Sequence, residues 1–131
     1  MTNSKHRSTE SIEDYLETIL KLTNKLGQVR SIDIANELHY SKPSVSIAMK
    51  NLRSKNYITV NENGYIYLTE SGKELADMTL ERHTLLSGWL ISIGVSEEVA
   101  YEDACKIEHD LSEETYAAIK KYCANVSRNK D

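Results

Sequence analysis

The sequence predicts a mainly α-helical fold with one small β-hairpin. Three helices and the hairpin form an N-terminal module over residues 1–72, and an all-helical module follows over residues 73–131. Three observations carry this. Apolar residues recur at three- and four-residue spacing through most of the chain, which is the period of a helix buried on one face. Around residues 57–68 the period drops to two, and the β-rich runs there flank Asn63-Gly64, a strong hairpin signal. Hydroxyl residues (Ser41, Thr69, Ser96 and Ser112) stand just ahead of apolar-periodic stretches, where helix N-caps belong.

Ser11 with Asp14 opens the first helix as a capping pair, carries Ile12, Tyr15, Leu16, Ile19, Leu20 and Leu22 on one face, and ends near Gly27. Ser31–Leu38 is a short second helix with Ile32, Ile34, Ala35 and Leu38 apolar, and His39-Tyr40 forms the turn after it. Ser41 caps a third helix running to about Asn56; Pro43 sits in its first turn, where no intrahelical N–H bond is lost. Strands follow at Tyr57–Val60 and Tyr65–Leu68. Thr69 caps a long helix with Leu75, Met78, Leu85, Leu86, Trp89 and Ile93 on its apolar side, stopped at Gly94. Ser96 opens a fifth helix. Ser112, with Glu113 and Glu114 where the helix dipole favours acids, opens a sixth that reaches about Val126. The tail SRNKD is expected to fray.

Composition narrows the function classes. The chain has 131 residues, 40% of them hydrophobic, and no apolar run near the ~18 residues that span a bilayer. The polar start MTNSKHRSTES is unlike a secretory signal, so with only two cysteines a reducing cytoplasm is expected and a disulfide framework is not. The net charge of −4 hides a division. From Gln28 to Val60 there are five basic residues against two acidic; from Ser96 to Tyr116 there are eight acidic residues and one lysine. The first segment suits phosphate and the second cations, although either run also fits a solvated helix face.

Three helices followed by a hairpin is the element order of a winged helix-turn-helix, in which one helix braces another that enters the major groove of double-stranded DNA. The candidate DNA-binding residues are Ser41, Lys42, Pro43, Ser44 and Ile47 at the start of the third helix, with Lys50, Arg53 and Lys55 toward phosphates. No arginine or asparagine occupies the first turns, so bidentate base reading is not evident there, and specificity is expected to rest partly on apolar contact and DNA shape.

Cys105, Glu108 and His109 stand at i, i+3 and i+4 of the fifth helix, a spacing that projects a thiolate, a carboxylate and an imidazole from one face as a half-shell for a divalent transition metal. Asp14 and Glu17 repeat the i, i+3 spacing on the first helix, and His83 stands alone on the fourth. Each has an ordinary reading too: Asp14 as a cap partner, Glu17 as an i, i+4 partner of Lys21, His83 as a partly buried histidine, and Cys105 as a small core residue.

Ile12-Glu13-Asp14-Tyr15-Leu16-Glu17, Ser41-Lys42-Pro43-Ser44-Val45-Ser46, Leu68-Thr69-Glu70-Ser71-Gly72, Glu81-Arg82-His83 and Cys105-Lys106-Ile107-Glu108-His109 occur in an order that resembles the diphtheria-toxin-repressor family, more closely its small manganese-repressor branch. The resemblance runs from about Ser11 to Tyr122. It implies a homodimeric, metal-activated transcriptional repressor binding a pseudo-palindromic operator. In that reading Asp14, Cys105, Glu108 and His109 form the main metal site, Glu17 and His83 a neighbouring one sharing Glu108, and a divalent metal ties the two modules into the DNA-binding arrangement. The manganese branch usually has a carboxylate at the position of Cys105, and the iron branch a methionine at that of Asp14, so the expected cofactor is Mn²⁺ or Fe²⁺. Ser87 and Tyr101 stand where the iron branch's ancillary ligands would be needed, and the SH3-like domain of longer members is not expected. Leu75, Leu85, Leu86, Trp89, Ile93 and Val99 are the candidate dimer interface. A winged-helix regulator indifferent to metal is the alternative, and a metal-dependent hydrolase is disfavoured because a chain this short and helical offers no evident substrate cleft.

Overall fold

The computed structural model describes residues 4–129, side chains included from Ile12 to Val126. The fraying expected of SRNKD falls outside the described side chains, and Ser11 lies inside the first helix, Ser4–Leu26, rather than capping its start. Six helices and one antiparallel hairpin follow one another in the predicted order. The chain forms two compact units, Met1–Thr79 and Leu80–Asp131, with the boundary inside the fourth helix.

The first unit contains α1 (Ser4–Leu26), α2 (Ser31–Leu38), α3 (Lys42–Ser54), β1 (Ile58–Val60), β2 (Ile66–Leu68) and the first turns of α4 (Glu70–Ser92). α1 begins at Ser4, ahead of the predicted start, because the polar stretch before Ser11 contains no glycine or proline to stop a helix. α1 packs on α2 and β2, α2 on α3, and α3 on β1. Between them Leu16, Ile19, Val29, Ile34, Val45, Leu52, Ile58 and Ile66 are all but fully buried. Burying a side chain of this size contributes about 1.5–3 kcal/mol, so this cluster rather than helix propensity orients α3.

The joints are specific. His39 adopts the left-handed conformation at φ 58° to end α2, and the Tyr40 N–H donates to the Ala35 carbonyl at 3.1 Å. Ser41 caps α3 by accepting from the Ser44 N–H at 3.3 Å. In the hairpin Ile58 faces Leu68, Thr59 faces Tyr67 and Val60 faces Ile66. Its turn is organised by Asn61, whose side-chain oxygen accepts from the N–H groups of Asn63 (3.0 Å) and Tyr65 (2.9 Å). An added rung, absent from the sequence reading, joins the Ile66 N–H to the Val29 carbonyl at 2.7 Å.

The segment Leu68-Thr69-Glu70-Ser71-Gly72 is a brace. Thr69 accepts from the Gly72 N–H at 3.1 Å as the N-cap of α4. The hydroxyls of Thr69 (2.7 Å) and Ser71 (3.2 Å) both donate to the carbonyl of Asn56, itself held at φ 67°. A Cβ on residue 72 would lie 2.0 Å from the Tyr57 carbonyl oxygen, so only glycine lets α4 start this close to the end of α3.

The second unit contains the remainder of α4, α5 (Glu97–Ile107) and α6 (Glu113–Asn129). Gly94 at φ 109° follows α4, Ser96 caps α5 through the Val99 N–H, and Ser112 caps α6 through the Thr115 N–H at 3.1 Å. α6 continues to Asn129, beyond the predicted end.

Candidate metal centre and nucleic-acid interface

On α3 the buried stripe is Val45, Met49 and Leu52. Everything predicted to meet DNA lies off that stripe: Ser41, Lys42, Pro43, Ser44, Ile47, Lys50, Arg53 and Lys55 are all exposed. From Lys42 to Lys55 the chain holds four cations and no carboxylate. The separation follows from helical geometry, since residues spaced by three or four share the core face and leave the intervening positions to solvent. Arg30, just before α2, was not among the candidates; its guanidinium lies over the Tyr65 ring in the hairpin turn, 4.4 Å from the centroid.

In the same unit, α1 supplies Asp14 and Glu17. Glu17 is buried, and its carboxylate pairs with Lys21 at 2.9 Å, the i, i+4 partnership open to it from sequence.

In the second unit the donors gather around α4 and α5. His83, on α4, is 2% exposed, with its ring edge-on to Tyr101 at 4.3 Å between centroids. Its Nε2 lies 3.2 Å from the Tyr101 carbonyl oxygen and 3.3 Å from Cys105 Sγ. The helix stops at Ile107, and Glu108 is its C-cap, with an N–H still bonded to the Ala104 carbonyl. The predicted triplet therefore straddles a helix end rather than lying within a continuous helix. The turn made by the Asp110 and Leu111 N–H groups on the Ile107 carbonyl brings the His109 ring beside its neighbour. His109 Nε2 and Glu108 Oε1 are 3.4 Å apart, and both side chains are almost wholly enclosed. The structure thus makes two pairs, Cys105 with His83 and Glu108 with His109.

The two pairs offer sulfur, nitrogen and oxygen atoms of the types that hold divalent transition metals. Metal–sulfur and metal–nitrogen bonds of about 2.3 and 2.0–2.1 Å place two ligand atoms on one ion roughly 3–4 Å apart, the spacing of the Cys105–His83 pair. A carboxylate as enclosed as Glu108 needs a compensating charge or hydrogen bonds, which an imidazole and a cation both supply.

Arg82 carries a role that no short-range pattern disclosed. Its guanidinium donates to the Glu108 carbonyl oxygen at 3.2 Å, pairs with Glu113 at 3.3 Å and lies over the Tyr116 ring at 4.7 Å. It fixes the turn that carries Glu108 and His109. Beside it Glu81 binds Lys120; that hydrogen bond, then the ammonium charge, holds the Glu81 carboxyl below its ordinary range. Burial first, and then the Glu81 charge, push the Tyr116 phenol up.

Of the candidate interface residues, Leu86 is fully buried within its own chain, Leu75, Leu85 and Trp89 are half-buried, and Ile93 and Val99 are exposed. Among the described residues no helix is long and apolar enough to cross a membrane.

Comparison with known proteins bears on this arrangement. Residues 7–65 match the family model described as the N-terminal DNA binding domain of the iron dependent repressor, and residues 69–131 match its metal binding and dimerisation domain. The transcriptional regulator MntR of Escherichia coli is 36% identical over 113 residues, spanning 86% of this chain and 73% of the relative. This chain belongs to the iron-dependent repressor family. Another member, the HTH-type transcriptional regulator MntR of Listeria welshimeri, is 38% identical over 104 residues, spanning 79% of this chain and 73% of its own length. Among solved structures, that of T. acidophilum IdeR superposes with a TM-score of 0.74 at 30% identity over 86% of this chain. The metal-dependent transcriptional regulator MtsR shares the fold, with a TM-score of 0.81 at 24% identity over 86% of this chain. The chain spans about half the length of those two proteins (53% of each). Of the two ranges matched by the family models, the first takes in α3 with its exposed cations, and the second takes in His83, Cys105, Glu108 and His109.

Proposed function

We propose that this chain is a transcriptional repressor whose affinity for double-stranded DNA is set by a divalent transition metal, Mn²⁺ or Fe²⁺, and which acts as a homodimer on a pseudo-palindromic operator. The observation that carries the proposal is the presence in one unit of two pairs of metal-ligating side chains: Cys105 beside His83 at 3.3 Å and Glu108 beside His109 at 3.4 Å. The donors we assign are those four with Asp14 and Glu17. A cation held there supplies the positive charge that lets several anionic donors share one site.

Each residue has a task. Glu108 and His109 are set by a turn that Arg82 holds from behind. Cys105 and His83 are presented by different helices, so they also fix the spacing of α4 and α5. Asp14 and Glu17 belong to the helix packed on α2 and β2, through which the effector reaches the DNA-binding domain. The Ser41 to Ser44 hydroxyls and the exposed cations of α3 meet the DNA. The effector works by favouring the DNA-competent arrangement, so it needs no contact with DNA. Two recognition helices in a dimer then meet successive major grooves, about 34 Å apart. The exposed and half-buried apolar residues Leu75, Leu85, Trp89, Ile93 and Val99 are the assigned dimer contacts.

The test is a gel-shift titration of the wild-type, Glu108→Ala and His109→Ala proteins at fixed salt, with Mn²⁺ and with chelator. Wild-type binding rises with metal and the variants lose that rise. Tight, metal-independent binding by all three would instead establish a winged-helix regulator indifferent to metal. Turnover of an ester or phosphate substrate would establish an enzyme.

A further inference from the structure

Resting on the DNA-binding reading, we infer that Ile47 is a specificity residue that reads thymine through its C5-methyl group. Ile47 is 70% exposed, the most exposed large apolar side chain among the described residues. Its surroundings distinguish it from ordinary surface apolar residues. At 100° per residue it stands opposite the Val45–Met49–Leu52 stripe, so it contributes nothing to the core. One turn before it on the same face is Pro43, one turn after it is Lys50, and two turns after it is Ser54, all exposed. The face is therefore an apolar centre framed by a cation and hydroxyls, without a carboxylate anywhere from Lys42 to Lys55. A protein partner of matching chemistry would need an acidic ring around an apolar socket. The DNA major groove offers that combination as a rule: phosphates flank the floor, and each thymine presents one methyl group among hydrogen-bonding edges. Lys50 and Arg53 hold the helix to phosphates, which carry no sequence information, so discrimination falls to what projects farthest. Ile47 has no hydrogen-bonding group and distinguishes bases only through shape and apolar contact.

The experiment starts by selecting binding sites from randomised duplexes with the Mn²⁺-loaded full chain. Each thymine of the selected site is then replaced by deoxyuridine, which removes the methyl and nothing else. At one or two thymines per half-site the wild-type protein loses about fourfold in affinity, the value of one buried methyl-sized group. The Ile47→Ala protein binds the thymine site more weakly and shows no further loss on replacement at those positions. Ile47→Gln, which restores length and adds a polar end, does not recover the thymine preference. If no thymine shows a loss that depends on Ile47, the inference is overturned while the DNA-binding reading stands. If no sequence is enriched with metal present, both fall.

Discussion

At the residue scale, the chemistry turns on which atoms can neighbour which. Cys105 is the one soft donor assigned, and sulfur favours Fe²⁺, Co²⁺ or Zn²⁺ over Mn²⁺, whereas carboxylates favour Mn²⁺. Cys105→Asp is expected to weaken Zn²⁺ binding more than Mn²⁺ binding, checked by calorimetric titration of both ions. Co²⁺ should give the wild type a sulfur-to-metal charge-transfer band that the variant lacks; the band's absence in the wild type would remove Cys105 from the site. Gly72 makes the complementary structural case. Any side chain there drives a Cβ to 2.0 Å from the Tyr57 carbonyl, and backbone cannot swing aside as a flexible side chain can. Gly72→Ala is expected to cost about 2 kcal/mol or more, read by urea denaturation, because the start of α4 must lift off β1's entry and strain the Thr69 and Ser71 bonds to Asn56. A variant as stable as the wild type would show that α4 starts elsewhere.

At the scale of elements, helices and strands were legible because hydrophobic period reports which face is buried, and caps such as Ser41, Ser96 and Ser112 report where a helix starts. What escaped the sequence depends on partners far along the chain or on the absence of a stop. α1 ran on to Ser4 because nothing breaks it. The Val29–Ile66 rung and the Arg82 bonds to Glu108 and Glu113 join residues that no local pattern relates. The six candidate ligands are picked out by their chemistry and order, but the pairing of Cys105 with His83 is not, since it requires knowing how α4 lies on α5. The Glu81–Lys120 pair between α4 and α6 carries a pH signature. Because the Glu81 carboxyl is held below its ordinary value, the pair contributes fully above the unfolded carboxyl's range and its contribution is lost as pH falls through the depressed value. Both groups are solvent-exposed, so the effect is small. The stability difference between wild type and Lys120→Met, measured by thermal melts, should be present at neutral pH and vanish in acid; a difference that persists in acid would assign it to packing of the lysine stem. Arg82→Ala acts differently: it frees the Glu108 turn, and weaker metal binding with near-native secondary structure by circular dichroism is the expected result.

At the scale of the whole molecule, a chain of net charge −4 is proposed to bind a polyanion, so its cations must be concentrated where they act. Affinity in such a case falls with salt by a slope of about 0.9 for each phosphate neutralised. Replacing Lys50, Arg53 or Lys55 by glutamine should therefore reduce the slope of log affinity against log salt by about 0.9 per subunit, or roughly twice that for a dimer touching both half-sites. The same measurement separates two ways in which metal can act. If binding of the cation shifts the population toward a DNA-competent arrangement, the contacts made in the bound complex are unchanged, and metal raises affinity equally at every salt concentration. If instead it orders cations that otherwise miss the phosphates, the slope itself steepens with metal. The cations of α3 are already fixed by the buried Val45, Met49 and Leu52 and lie in a unit whose core is complete without any of the assigned donors from the metal-binding domain. Parallel lines with and without Mn²⁺ are thus the expected result, and converging lines would mean that metal builds the DNA-binding surface rather than selecting it.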